Sequence, residues 1–60
     1  MTEKSKIYDE QVIVAHNMEL YGGSFEQNLG RALLYADKTN TAKIKATWPE
    51  LWEKFLNWNK

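Results

Sequence analysis

The stretch GGSFEQNLGRALLYAD, residues 22–37, decides the fold. Ser24 is followed three residues later by Gln27. This is the spacing of a capping box, in which the Ser24 hydroxyl accepts from the Gln27 amide and the Gln27 side chain reaches back. Phe25, Leu29, Ala32, Leu33 and Ala36 recur at helical spacing and predict one apolar stripe. A helix is therefore expected from Ser24 to about Asp37. Gly22 and Gly23 are expected to close the helix before it, because glycine takes the left-handed conformation that ends a helix. Gly30 costs about 1 kcal/mol relative to alanine inside a helix, so it is expected to mark a close helix crossing.

Working outward, the segment before Gly22 predicts a first helix from about Tyr8 or Asp9 to Leu20 or Tyr21, with residues 1–5 frayed. Asp9 and Glu10 near its start favour the helix dipole. The β-branched run Val12, Ile13, Val14 pulls toward strand. A strand there has no second strand to pair with, so helix is the primary reading and a partly extended Val12–Val14 segment the alternative.

On the other side, Lys38, Thr39 and Asn40 read as a break carrying N-cap residues. A short helix is then expected from about Asn40 or Thr41 to Ala46, anchored by Ile44. Thr47 and Glu50 repeat the capping-box spacing, and Pro49 is tolerated in a first turn. The last helix is expected from about Pro49 to Trp58. The fold class is all-α: one compact domain of about four short helices. The expected core is Phe25, Leu29, Leu33, Ile44, Leu51, Trp52 and Phe55.

Sixty residues without cysteine rule out disulfides and thiolate zinc sites. A single histidine, His16, and scattered carboxylates supply no metal-ligand set. A domain this short buries only about 60% of its unfolded surface. Stability must then come from large side chains or from self-association, and three Trp, three Tyr and two Phe serve either. No residue pattern carries catalysis, so neither enzyme activity nor a cofactor is expected. Gly22, Gly23 and Ser24 resemble an anion-binding helix start, but the P-loop lysine and the dinucleotide glycine spacing are missing.

Eight basic residues balance eight acidic ones, which argues against general nucleic-acid binding. The charges are nevertheless segregated. Residues 7–30 carry only Asp9, Glu10, Glu19 and Glu26, whereas Arg31, Lys38, Lys43 and Lys45 follow against Asp37 alone. A nucleic-acid accessory role for the region from Arg31 to Lys45 is therefore the alternative reading. No apolar run approaches the roughly 18 residues that span a bilayer, and nothing near Met1 resembles a signal peptide. A cytoplasmic protein is the expectation.

Counting apolar faces gives the functional expectation. At about 100° per residue, Trp48, Leu51, Trp52, Phe55, Leu56 and Trp58 share an arc of roughly 160°, wider than the stripe of about 100° that a core-facing helix requires. The margin of that arc, at Leu56 or Trp58, is expected to meet a partner. The first helix is apolar on two opposed faces, Ile7–Val14–Met18–Tyr21 and Val12–Ile13–His16–Leu20. So short a chain cannot cover both, so one face is expected to meet another subunit or protein. Leu34 lies opposite the stripe of the second helix. Ile13, His16, Leu20, Leu34 and Trp58 are thus the candidate association residues, and a homodimer or a protein partner is expected.

The residues Gly22-Gly23-Ser24-Phe25, Ala32-Leu33-Leu34, Ala36-Asp37, Asn40, Lys43-Ile44-Lys45-Ala46 and Trp48-Pro49-Glu50-Leu51-Trp52-Glu53-Lys54-Phe55 form a pattern that resembles small helical proteins of phages and prophages. The pattern covers over half the chain and leaves out the first helix. The resemblance implies a viral or mobile-element origin and a helical fold. It implies no activity, because none is assigned to that group. The sharpest functional version is a small effector that occludes a host or phage protein.

Overall fold

A computed structural model describes the backbone of residues 3–58 and the side chains of residues 10–58. Four helices follow one another: α1 (Glu3–Tyr21), α2 (Ser24–Leu34), α3 (Lys38–Thr47) and α4 (Pro49–Leu56). They form a single small all-α domain, with no strand among the described residues. Val12, Ile13 and Val14 are helical within α1, because the packing of the α1 face that carries Val14, Ala15 and Met18 outweighs a weak local β preference. α1 also starts earlier than expected. Of the segment expected to fray, residues 1 and 2 lie outside the described residues, and residues 3–5 are in α1.

α1 is the axis of the fold. The Gly22–Gly23 turn folds α2 back along it, with Gly30 lying against Ala15, Met18 and Glu19 and Gln11 reaching Leu33 and Ala36. α4 runs along another side of α1 in the same direction, so that Glu10 meets Trp52, Asn17 meets Phe55 and Tyr21 meets Trp58. α3 links the two and buries only Thr41 fully. The core is Val14, Ala15, Met18, Leu33, Trp52 and Phe55, with Leu29, Ile44, Leu51 and Leu56 half-buried against it.

Gly30 is the expected close crossing. A Cβ there would sit 2.7 Å from the Met18 Cβ and 2.8 Å from the Ala15 carbonyl oxygen. Gly22 and Gly23 act differently from the expectation: no glycine has positive φ among the described residues. The Gly22 amide continues the helical pattern by donating to the Met18 carbonyl at 3.0 Å. Gly22 is needed for space, since a Cβ would collide with the Met18 carbonyl oxygen and the Glu26 Cβ.

Both expected capping boxes are absent. Gly23 is the N-cap of α2, its carbonyl accepting from the Gln27 amide at 2.8 Å, and the Ser24 side chain makes no cap bond. Trp48 caps α4 without a side-chain bond, while the Thr47 hydroxyl donates backward to the Lys43 carbonyl at 2.6 Å. In each case the helix begins one residue off the predicted register, which turns the intended cap away from the free amides. The side-chain cap in this stretch is Asp37, whose carboxylate accepts from the Asn40 amide at 2.8 Å. α3 therefore starts at Lys38, where a break was expected. For the same reason α2 stops at Leu34 rather than Asp37.

Phe25 is also misplaced by the stripe argument, being 54% exposed. It sits in the first turn of α2, near the end of α1, where there is little left to pack on. It meets the edge of Trp48 instead, with ring centroids 5.8 Å apart. α4 ends at Leu56, and Trp58 follows in a turn.

Candidate interaction surface

The inner side of α1 is more polar than its position suggests. Gln11 and Asn17 are buried. The Gln11 amide donates to the carbonyls of Leu33 at 2.8 Å and Ala36 at 3.1 Å, at the end of α2. The Asn17 amide donates to the Phe55 carbonyl at 2.7 Å, in the last turn of α4. The last four carbonyls of a helix have no partner within it, and burying one unpaired is costly. These two amides add a donor to carbonyls that also accept from the Ala36 and Trp58 amides, at 3.1 and 3.5 Å, and they tie two helix ends to α1. Glu10 adds a third tie: its Oε1 accepts from the Trp52 indole at 3.0 Å and from the Lys45 ammonium at 3.3 Å. Lys45 also lies over the Trp52 ring, 5.4 Å from the centroid.

The sequence reading passed over these groups, although a signal was present. Gln11 and Asn17 stand three residues before and after Val14, on the same face. A polar amide on a buried face needs a partner.

With the inner arc occupied, the outer arc of α1 is left to solvent. Val12 is 53% exposed, Ile13 44% and Leu20 59%, and His16 is exposed beside them. Taking Gln11 as zero and about 100° per residue, Val12, His16, Leu20 and Ile13 follow at about 100°, 140°, 180° and 200°. They form one continuous strip. Leu34, 43% exposed, comes from α2 at the Val12 end of this strip, because Gln11 holds the neighbouring Leu33 carbonyl. Four of the five candidate residues therefore lie on one surface formed by α1 and α2.

Trp58 does not join them. It stacks on Phe55 and on Tyr21, with centroids 5.1 and 5.3 Å apart and ring planes within 13°. Lys54 lies over both the Phe55 and the Trp58 ring. Trp58 stays 39% exposed, but much of its face is used to hold the end of α4 against the end of α1. Tyr21 belongs to the same clasp rather than to the core face expected of it. Ile7, expected on that face, lies outside the residues whose side chains are described.

The charge segregation seen along the chain is offset in space by two ion pairs. Arg31 pairs with Glu19 at 3.6 Å and Lys45 with Glu10 at 3.3 Å. Each pair joins the acidic segment to the basic one. The Arg31 pair is largely exposed and contributes little to stability. The consequence of the two pairs is electrostatic, since Arg31 and Lys45 are each matched by an acid. Among the described residues, no group of three His, Asp or Glu side chains could hold a metal ion. No helix among them is long and apolar enough to cross a membrane.

The domain is closed on itself. Its radius of gyration of 10.5 Å equals the ~10.4 Å expected for a 60-residue globule. Its surface of 4291 Å² lies near the ~4,100 Å² expected for a folded monomer of this mass. Comparison with protein-family models, curated proteins and solved structures finds no match to this chain.

Proposed function

We propose that this protein is a small helical docking module, acting in the cytoplasm, that works by covering protein surface with the outer arc of α1, and that its first occupant is a second copy of itself. The observation that carries this reading is the strip Val12–Ile13–His16–Leu20 with Leu34 beside it. These residues are exposed, contiguous and without formal charge at neutral pH. Scattered exposed apolar residues need no explanation, whereas a contiguous patch marks an interaction site. A two-fold contact presents each such residue twice, which suits a strip too short to hold a large partner alone. Zero net charge leaves no long-range repulsion between copies. The phage-type resemblance fits the same face occluding a host or phage protein.

The nucleic-acid reading has less support, because Arg31 and Lys45 are each engaged by a carboxylate. The test is sedimentation across a concentration series. A contact near the lower limit of specific interfaces, about 1,000 Å² in total, is expected to give association in the micromolar range. Ile13→Glu and Leu20→Glu should each give a folded monomer. Surface substitutions of this kind change folding stability by about 0.5 kcal/mol or less, so circular dichroism should remain that of wild type. A wild-type protein that stays monomeric at high micromolar concentration would exclude the homodimer.

A further inference from the structure

α3 is held on the domain differently from the other helices. α1 buries Val14, Ala15 and Met18, α2 buries Gly30 and Leu33, and α4 buries Trp52 and Phe55. α3 fully buries one residue, the polar Thr41, and covers Ile44 and Lys45 in part. Regions with little apolar burial open locally, at a free energy below that of global unfolding. We propose that α3 is a strap: it unfolds and refolds as a unit while α1, α2 and α4 stay assembled, and the Lys45–Glu10 pair is its latch. This holds whether or not the chain self-associates.

The sequence of α3 supplies little helix of its own. A ten-residue helix is marginal without tertiary support. Thr39, Asn40, Thr41 and Thr47 are weak helix formers. The segment carries three lysines and no acid, so no internal i,i+4 ion pair supports it. The Thr47 hydroxyl bonds back to the Lys43 carbonyl, an interaction that slightly weakens a helix. The Asp37 cap works the other way and holds the first turn.

Opening leaves both ends of the strap anchored. On one side the Gln11 amide keeps the Ala36 carbonyl at 3.1 Å, and on the other Trp48 stays against Phe25. Ten residues span about 15 Å as helix and reach about 33 Å when extended, so the segment can unwind between fixed ends. The polar groups lose little. The Thr41 hydroxyl, buried without a partner in the closed form, gains water. Glu10 gives up Lys45 at 3.3 Å but keeps the Trp52 indole at 3.0 Å. Closure gains the cover of Ile44 and the seating of Lys45 on two groups at once, the Glu10 carboxylate and the Trp52 ring, 5.4 Å from its centroid. Opening therefore uncovers Trp52, which is 1% exposed when the strap is closed.

The experiment is native-state hydrogen exchange of the full chain, read amide by amide in increasing low urea, on wild type, Asn17→Ala and Lys45→Met. In wild type the α3 amides should be about tenfold or more less protected than the slowest amides of α1, α2 and α4, and nearly independent of urea. The Asn17 bond to Phe55 survives opening of α3 and is lost only on global unfolding. Asn17→Ala should therefore speed the slowest amides by about two- to tenfold and leave α3 unchanged. Lys45→Met keeps the stem and removes the charge, and should speed α3 exchange by about two- to fivefold. If α3 amides are as protected as the core of α1, or shift with them in Asn17→Ala, the domain opens as one unit and the strap is overturned. If α4 opens together with α3, the fixed end at Trp48 is overturned and the strap with it. If α3 exchange in Lys45→Met equals that of wild type, Lys45 is not the latch.

Discussion

The two sides of α1 invert the usual expectation of a helix. Its inner arc places Gln11, Asn17 and the half-buried Glu10 among Val14, Ala15 and Met18, and its outer arc shows Val12, Ile13 and Leu20 to solvent. The inner polar groups are there because the ends of two other helices abut this arc, and carbonyls at those ends need donors. The outer apolar groups have no such partner within the chain. Hydropathy alone therefore does not say which side of a central helix is inside. What decides it is whether each polar side chain finds a complementary group, and only the inner side does.

The contrast can be tested by substitution, beginning with the packing on which the inner arc depends. Phe55 is fully buried against α1 and supplies the carbonyl that Asn17 holds. Phe55→Ala should cost about 3–5 kcal/mol. A small core supplies little more than that, so the helical circular dichroism signal should collapse at 25 °C. A cooperative melt within a few degrees of wild type would show that α4 is not seated as described.

Asn17→Ala and Gln11→Ala test the amides themselves. Each removes the buried side-chain donor from a helix-end carbonyl, Leu33 or Phe55, that keeps a backbone donor, at a cost of about 0.5–1.5 kcal/mol, measured as a lower urea midpoint with unchanged slope. Ile13→Glu on the outer arc should leave that midpoint nearly unmoved. If Asn17→Ala proves as neutral as Ile13→Glu in the monomer, the distinction between the two arcs fails.

Gly30→Ala sets two opposing terms against each other. Alanine gains about 1 kcal/mol of helix propensity, but its Cβ would press on the Ala15 carbonyl, a backbone atom that cannot swing away. Overpacking of this kind costs about 1–3 kcal/mol. The net expectation is a modest destabilisation, and a stabilised variant would mean that α1 and α2 are further apart.

The smallest effect has the opposite sign. The Thr41 hydroxyl is buried with no hydrogen-bond partner. Thr41→Val removes it while keeping the shape, and should be neutral or stabilising by up to about 1 kcal/mol. A clear loss in the urea midpoint would reveal a partner for that hydroxyl.

Much of the architecture was legible in local sequence. Four apolar segments separated by glycine, polar or proline breaks gave four helices in the right order. The wide arc of the last segment placed Trp52 and Phe55 in the core. That α1 carries two apolar faces was legible from a wheel alone, because an excess of apolar faces can be counted without knowing which of them is covered. Cap details were not legible. Ser24 and Thr47 match a capping pattern, yet a shift of one residue in the helix start moves the cap to Gly23 and Trp48. Such shifts are set by the tertiary contacts of the turns.

By itself the sequence determined that this is an all-helical domain without cysteine chemistry, with a tight crossing at Gly30 and more apolar surface on its first helix than one face can hold. The helical period and the space-filling limits of glycine are local properties, and they survive any arrangement of neighbours. The tertiary structure alone decided which side of α1 is inside. It also decided that Trp58 is clasped by Tyr21 and Phe55, that Phe25 stays at the surface, and that Arg31 and Lys45 pair with Glu19 and Glu10. Each of these depends on groups brought together from distant parts of the chain. Burial and pairing energies act between such groups, and no local pattern records them.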